Sequence, residues 1–222
     1  MAKLIVIEGT DASGKQTQSE LLYEYFKSVN TNVIKLVFPD YESRSSELVK
    51  MYLEGQFGSD AQSVDPKIAS VFYAADRYAS YKTKWEEFSQ KEDAVIILDR
   101  YVTSNMIHQA AKIEDPKEKE EYLNWIYDFE YNIMGLPKPD FVIFLNMRFD
   151  LAQRLMENRK NKITDEDKKD IHESDREYMK KCYDNACGIA KKYEWHEVRC
   201  YNGDEIRTID DIQNEIRKLV CN

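Results

Sequence analysis

The sequence predicts an α/β domain, a parallel sheet with helices on both faces. Strand-type apolar runs alternate with longer stretches of helical spacing along the whole chain. The first run, Leu4–Ile7, is apolar at every position, as a strand buried on both faces is. No stretch rich in Pro, Gly or Ser divides the 222 residues, so a single domain with one large core is expected over 1–222.

That first strand runs into Glu8-Gly-Thr-Asp-Ala-Ser-Gly-Lys-Gln-Thr17. Gly9, Gly14 and Lys15 have the G-x-x-x-x-G-K spacing of a phosphate-binding loop, in which backbone N–H groups wrap a phosphate chain. Glycine is needed there because a Cβ would block close approach and the positive φ. Leu21, Leu22, Tyr25 and Phe26 recur at helical spacing, predicting a helix over 15–28 that points its positive end at the phosphates. Lys15 would reach the β/γ-phosphates. The slot after it, where Ser or Thr would hold Mg2+, carries Gln16, with Thr17 next.

A second strand is expected at Asn32–Val37, followed by helices over 44–54 and 66–89. The third strand, Ala94–Leu98, precedes helices over 103–112 and 117–134. The fourth, Asp140–Leu145, leads to helices over 149–159 and 171–192, and a weaker fifth is read at His196–Tyr201. The closing helix is placed at 206–221, with Thr208-x-x-Asp211 as its start signal and Ile209, Ile212, Ile216 and Leu219 as its apolar stripe. In such a sheet ligands gather at the carboxyl ends of the strands.

Composition narrows the function classes. Against 32 Lys+Arg stand 41 Asp+Glu, a net charge of -9, which argues against a binder of nucleic-acid backbone. No apolar stretch has the length of a membrane span, and the amino terminus reads as a strand rather than a signal peptide. Cys182, Cys187, Cys200 and Cys221 lack zinc-type C-x-x-C spacing and read as free, partly buried thiols in a reducing cytoplasm.

Two further constellations carry chemistry. Asp99-Arg100-Tyr101 follows the third strand directly. A carboxylate there is placed to act on Mg2+ or its waters, and Arg100 supplies a fork suited to phosphate. Within the stretch 66–89, Tyr73 and Arg77 are four residues apart and share a helix face. Spacing alone leaves two readings: a base pocket, with a stacking ring and a guanidinium on the polar edge, or a core tyrosine beside a surface salt bridge. If a helix starts near Thr103, then Tyr101, Asn105 and His108 fall on one side of it.

These residues resemble the thymidylate kinase family nearly end to end. The carriers are the loop Glu8–Gln18, Phe38-Pro39, Tyr73-Ala-Ala-Asp-Arg77, Asp99-Arg-Tyr-Val-Thr-Ser104, Leu136-Pro-Lys-Pro-Asp140 and a charged segment after Leu155. The resemblance implies a P-loop kinase fold with strand order 2-3-1-4-5, a homodimer, and transfer of the ATP γ-phosphoryl to dTMP with Mg2+. It implies that Gly9, Thr10, Asp11, Ala12, Ser13, Gly14, Lys15, Gln16 and Thr17 hold ATP, with Asp99 serving the metal. It further implies that Asp11 faces the sugar of the monophosphate, Arg100 bridges donor and acceptor phosphates, Tyr73 stacks on the base and Arg77 bonds it. Phe38 would flank the acceptor pocket, with Asn105 and His108 near base and sugar.

The chain departs from the family at four points. His108 stands where Tyr or Phe is common, Tyr41 where some relatives carry an arginine (Arg44 follows three residues on), and Gln16 in the metal slot. The lid, about 158–170, is longer and more charged than usual. Since Thr10-Asp11-Ala12-Ser13 contains no cation, catalytic positive charge is expected from Arg159, Lys160 and Lys162, with Arg159 carrying most of it. A solvated charge run is the other reading of this segment; as a calcium loop it lacks the glycine and closing glutamate. Two rival functions share the phosphate loop. A deoxynucleoside kinase would carry Glu-Arg-Ser where Asp99-Arg100-Tyr101 stands. A GTPase-type switch, another P-loop nucleotide binder, would need N-K-x-D, whereas Asn161-Lys162-Ile163-Thr164 lacks the aspartate.

Overall fold

The computed structural model describes residues 1–29, 31–60, 62–160 and 175–221, except the side chains of 158–160. Along the chain come β1 (Lys3–Glu8), α1 (Lys15–Ser28), β2 (Asn32–Val37), α2 (Glu47–Leu53), α3 (Pro66–Ser80), α4 (Glu86–Ser89), β3 (Ala94–Asp99) and α5 (Val102–His108). Then follow α6 (Pro116–Tyr127), β4 (Phe141–Asn146), α7 (Phe149–Lys160), α8 (Arg176–Lys192), β5 (His196–Arg199), β6 (Tyr201–Asn202), β7 (Glu205–Ile206) and α9 (Ile209–Val220). The five-stranded sheet has the order β2-β3-β1-β4-β5 with every neighbouring pair parallel, as expected.

Alternation along the pleat sorts the apolar strand residues between two faces. Leu4, Val6, Ile96, Leu98 and Val142 pack against α5, α6 and the turn Tyr81–Trp85. Ile5, Ile7, Val95, Ile97, Ile143 and Leu145 pack against α1, α7 and α9. Both faces are thus covered, and each large aliphatic side chain removed from water stabilises the domain by about 1.5–3 kcal/mol.

Helix starts follow local chemistry. Asp65 and Asp115, each before a proline, accept the backbone N–H groups of Lys67 and Lys117 at 2.8 and 2.9 Å. The closing helix begins at the start signal read in the sequence, at Ile209 rather than 206, where the Thr208 hydroxyl accepts the Asp211 N–H at 3.1 Å. Ahead of it β6 and β7 form a short antiparallel ribbon, whose two-residue strands are too short to leave a periodic trace. Two expected helical stretches also contain π-helical turns, at Tyr81–Trp85 and Asp128–Ile133. Helix α8 is described from Arg176, and most of the lid, about 158–170, lies outside the described residues. Cys182 and Cys200 are buried and all four cysteines are free. No helix among the described residues is long and apolar enough to cross a membrane.

Candidate active site

The parallel register sets Ile7 opposite Asp99, so the ends of β1 and β3 present Glu8, the glycine loop, Asp99 and Arg100 side by side. At Gly9 (φ 156°) a Cβ would lie 2.9 Å from the Leu145 carbonyl oxygen and 2.6 Å from Ser13 Oγ, so a side chain has no room. Gly14 caps α1 in the left-handed conformation, φ 90°, with no side chain on the first N–H groups and no acidic residue in the first turn. Those donors open onto the loop, as an anion site requires. Gln16 and Thr17 lie exposed on that first turn. Ser13 Oγ is buried with no hydrogen-bond partner among the described residues.

Lys15 is buried and its Nζ donates to the Thr10 carbonyl at 2.7 Å. Burial and the neighbouring Arg100 lower its pKa to about 8, against the pull of Asp11, Asp99 and Glu8. Asp99 is buried, with the Ser19 hydroxyl 3.5 Å from its carboxylate.

Arg100 has a left-handed backbone, φ 67°, and its N–H donates to Ile7 O at 3.2 Å. For a non-glycine residue that conformation is costly, and here it leaves the guanidinium beside the loop. Nη2 donates to Asp11 Oδ1 at 2.5 Å, and Nη1 meets His108 Nε2 at 3.0 Å. Burial alone would raise the Asp11 carboxyl, but Arg100 and Lys15 hold it well below the usual range. Burial likewise opposes the Arg100 charge, and Asp11, Glu8 and Asp99 together raise its pKa above the ordinary value. A small cleft opens beside Asp11 and His108, lined also by Phe149 of α7 and by Tyr178 and Cys182 of α8.

A second polar cluster lies in the interior. Arg77, predicted to be either base-reading or part of a surface pair, is 2% exposed and gripped by Glu130, which is 0% exposed. Nε donates to Oε2 and Nη2 to Oε1, each at 2.6 Å. Asn105 Nδ2 donates to the same Oε1 at 3.0 Å and to Ser70 O at 3.2 Å. The surface salt bridge is therefore excluded. Tyr73 is half-buried and meets Tyr52 edge-on, centroids 6.3 Å apart. Phe38 is buried, 6.3 Å from the ring of Tyr101. Tyr101 does not share a pocket-facing side with Asn105 and His108: it is 0% exposed, among Phe38, Trp85 and Tyr131, and its hydroxyl donates to Pro137 O at 3.0 Å. The side chain of Arg159 lies outside the described residues, as does Lys162.

Sequence reasoning passed over three acids that organise the site. Glu8 accepts Thr103 Oγ1 at 2.7 Å, Ser104 Oγ at 2.8 Å and Gly9 N at 3.0 Å, tying α5 to the loop. Asp76 accepts Asp40 N at 2.8 Å and Ser45 Oγ at 2.5 Å, tying the segment after Phe38-Pro39 to α3. Glu130 had a signal: it continues the buried stripe Tyr122, Leu123, Ile126 of α6, where an acid is unexpected.

Comparison with known proteins agrees with this geometry. The thymidylate kinase of Mycobacterium tuberculosis (strain ATCC 25618 / H37Rv) is 34% identical over 67% of this chain and 68% of that one. That of Plasmodium falciparum (isolate 3D7) is 30% identical over 98% and 89%. The human thymidylate kinase is 30% identical over 68% and 64%. The sequence model of the family described as thymidylate kinase matches residues 7–198, and the chain belongs to that family.

Proposed function

We propose that this protein transfers the γ-phosphoryl group of ATP to dTMP, giving dTDP and ADP. One observation carries the reading: Lys15, Asp99 and Arg100 converge at the carboxyl ends of β1 and β3, around a glycine loop whose amides open α1. Backbone N–H groups of Gly9–Thr17, the Ser13 hydroxyl and Lys15 would hold the ATP phosphates. Arg100 would pass from Asp11 to the acceptor phosphate, leaving Asp11 and His108 facing the sugar. Tyr73, Arg77 and Asn105 would read the base, with Phe38 behind them.

The site suits a hard divalent cation. Asp99 is buried and accepts one side-chain hydrogen bond among the described residues, so lone pairs remain for Mg2+ or its waters. Bound with ATP, Mg2+ would neutralise charge on the phosphate oxygens. From the sequence, Arg159 would add cationic charge at the transferring group; Arg159→Ala is expected to lower kcat more than ATP affinity.

A homodimer and a cytoplasmic site are inferred from the resemblance, the latter also from the four free cysteines. Light scattering on purified protein tests the first. The function is tested by coupled ADP release across dTMP, dUMP, UMP, CMP and thymidine. The expected result is turnover highest with dTMP, and a preference for thymidine would replace this reading with a nucleoside kinase.

A further inference from the structure

Glu130 joins the two residues that the proposed function assigns to the base, yet it contacts neither loop nor phosphate machinery. It sits on the π-helical turn Asp128–Ile133, a local geometry often found at functional positions, with its carboxylate 0% exposed. Arg77 engages it side-on through Nε and Nη2, which leaves Nη1 without a hydrogen-bond partner among the described residues. The amide of Asn105 has two protons, and both are used, one on Glu130 Oε1 and one on Ser70 O. What Asn105 retains is its carbonyl oxygen, which can only accept.

An ionised carboxylate accepts and does not donate, so Glu130 dictates which end of the Asn105 amide faces it. It thereby fixes Asn105 as an acceptor, beside an Arg77 that it holds in place and that can only donate. A pyrimidine with a ring N–H next to a carbonyl matches that pair. Cytosine presents an unprotonated ring nitrogen next to an amino group, the reverse pattern. It would leave buried groups unmatched, which costs far more than a missing contact.

We propose that Glu130 is a positioning residue for base specificity, acting by locking the orientations of Arg77 and Asn105. This rests on the base-reading role given to those two residues under the proposed function. A glutamine at 130 has an N–H2 group that can donate to Asn105 Oδ1, so the Asn105 amide is free to turn and offer a donor instead.

The test is steady-state kinetics of Glu130→Gln with dTMP and dCMP, beside Arg77→Ala and Asn105→Ala, with thermal unfolding of each. The expected result for Glu130→Gln is a fall of at least tenfold in the ratio of kcat/KM for dTMP over dCMP, with the KM for ATP unchanged. A merely structural glutamate would lower the unfolding temperature and leave that ratio in place, which would overturn the proposal. If Arg77→Ala and Asn105→Ala collapse the ratio while Glu130→Gln does not, the base assignment stands and the role of Glu130 falls. If all three leave the ratio intact, the base assignment itself falls and takes this proposal with it. Should Glu130→Gln fail to fold, Glu130→Asp carries the test. A carboxylate withdrawn by one methylene should raise the KM for dTMP severalfold and keep the dTMP preference, and an unchanged KM for dTMP would overturn the proposal.

Discussion

Arg77 and Arg100 are each matched to one carboxylate, yet the first pair is 2% and 0% exposed and the second 22% and 30%. The Arg77 pair joins α3 to the turn after α6 through two parallel bonds and recruits Asn105 from α5. The Arg100 pair joins two loop-end residues through one bond to Asp11, beside solvent, on a left-handed backbone. A partly exposed single bond can be exchanged for a phosphate at less cost, whereas a desolvated bidentate pair cannot be opened without stranding a charge. On the proposed reading, one arginine changes partners and the other stays.

The largest expected effect comes from removing Arg100. Arg100→Ala should lower kcat by about 10³-fold or more, since groups that neutralise a transferring phosphoryl contribute on that scale. Its unfolding temperature should stay within a few degrees of wild type, and the same holds for Lys15→Ala. Turnover near wild type in either variant would dissolve the contrast.

Arg77→Ala should do the opposite, costing about 3–5 kcal/mol of stability by leaving the Glu130 carboxylate buried without a countercharge. Urea denaturation would read that loss, with a raised KM for dTMP and an unaltered KM for ATP. The double variant Arg77→Met/Glu130→Leu sharpens the point: stability should return and dTMP affinity should not.

Smaller still is a pH effect on ATP binding. Free enzyme releases the Lys15 proton near pH 8, whereas bound polyphosphate holds it to higher pH. The Kd for ATP should therefore be flat from pH 7 to 8 and then rise, by up to about tenfold per pH unit. For folding the sign is reversed. Below about pH 8 both folded and unfolded chains carry the proton and its burial is fully unfavourable, a penalty relieved as pH climbs from 8 towards 10.5. Calorimetric titration across pH 7–9.5 reads the first effect, and a Kd that stays level would show the proton is kept. The mildest change expected is in Asp76→Ala, which strips the acceptor from Asp40 N and Ser45 Oγ. About 1–3 kcal/mol of stability and a severalfold rise in KM for dTMP should follow, read by the same kinetics and denaturation.

What the sequence discloses depends on how far apart the partners are along it. The phosphate loop is legible because its glycines, its lysine and the helix they open are contiguous, so local sterics leave a local pattern. The sheet is legible because burial on both faces makes whole runs apolar. The grip of Glu130 on Arg77 spans 53 residues and leaves no periodic trace, so sequence spacing suggested a surface salt bridge where the interior holds a buried one. Tyr101 shares a side with Asn105 and His108 only if the helix starts near Thr103. The helix starts at Val102, and Tyr101 is extended before it, which turns the ring into the core.

Helix α5 makes fixed contacts along its length: Thr103 and Ser104 bond Glu8 beside the loop, Asn105 bonds Glu130, and His108 meets Arg100. A helix rises about 1.5 Å per residue and neither stretches nor shortens under load. The spacing between Asn105, which would read a base, and His108, which would face the sugar beside Arg100, is therefore set by one helix. On the proposed reading the enzyme carries a built-in gauge of acceptor length. A nucleoside reaches one mark of it, a monophosphate reaches both, and a longer phosphate chain overruns into the space where the donor must lie.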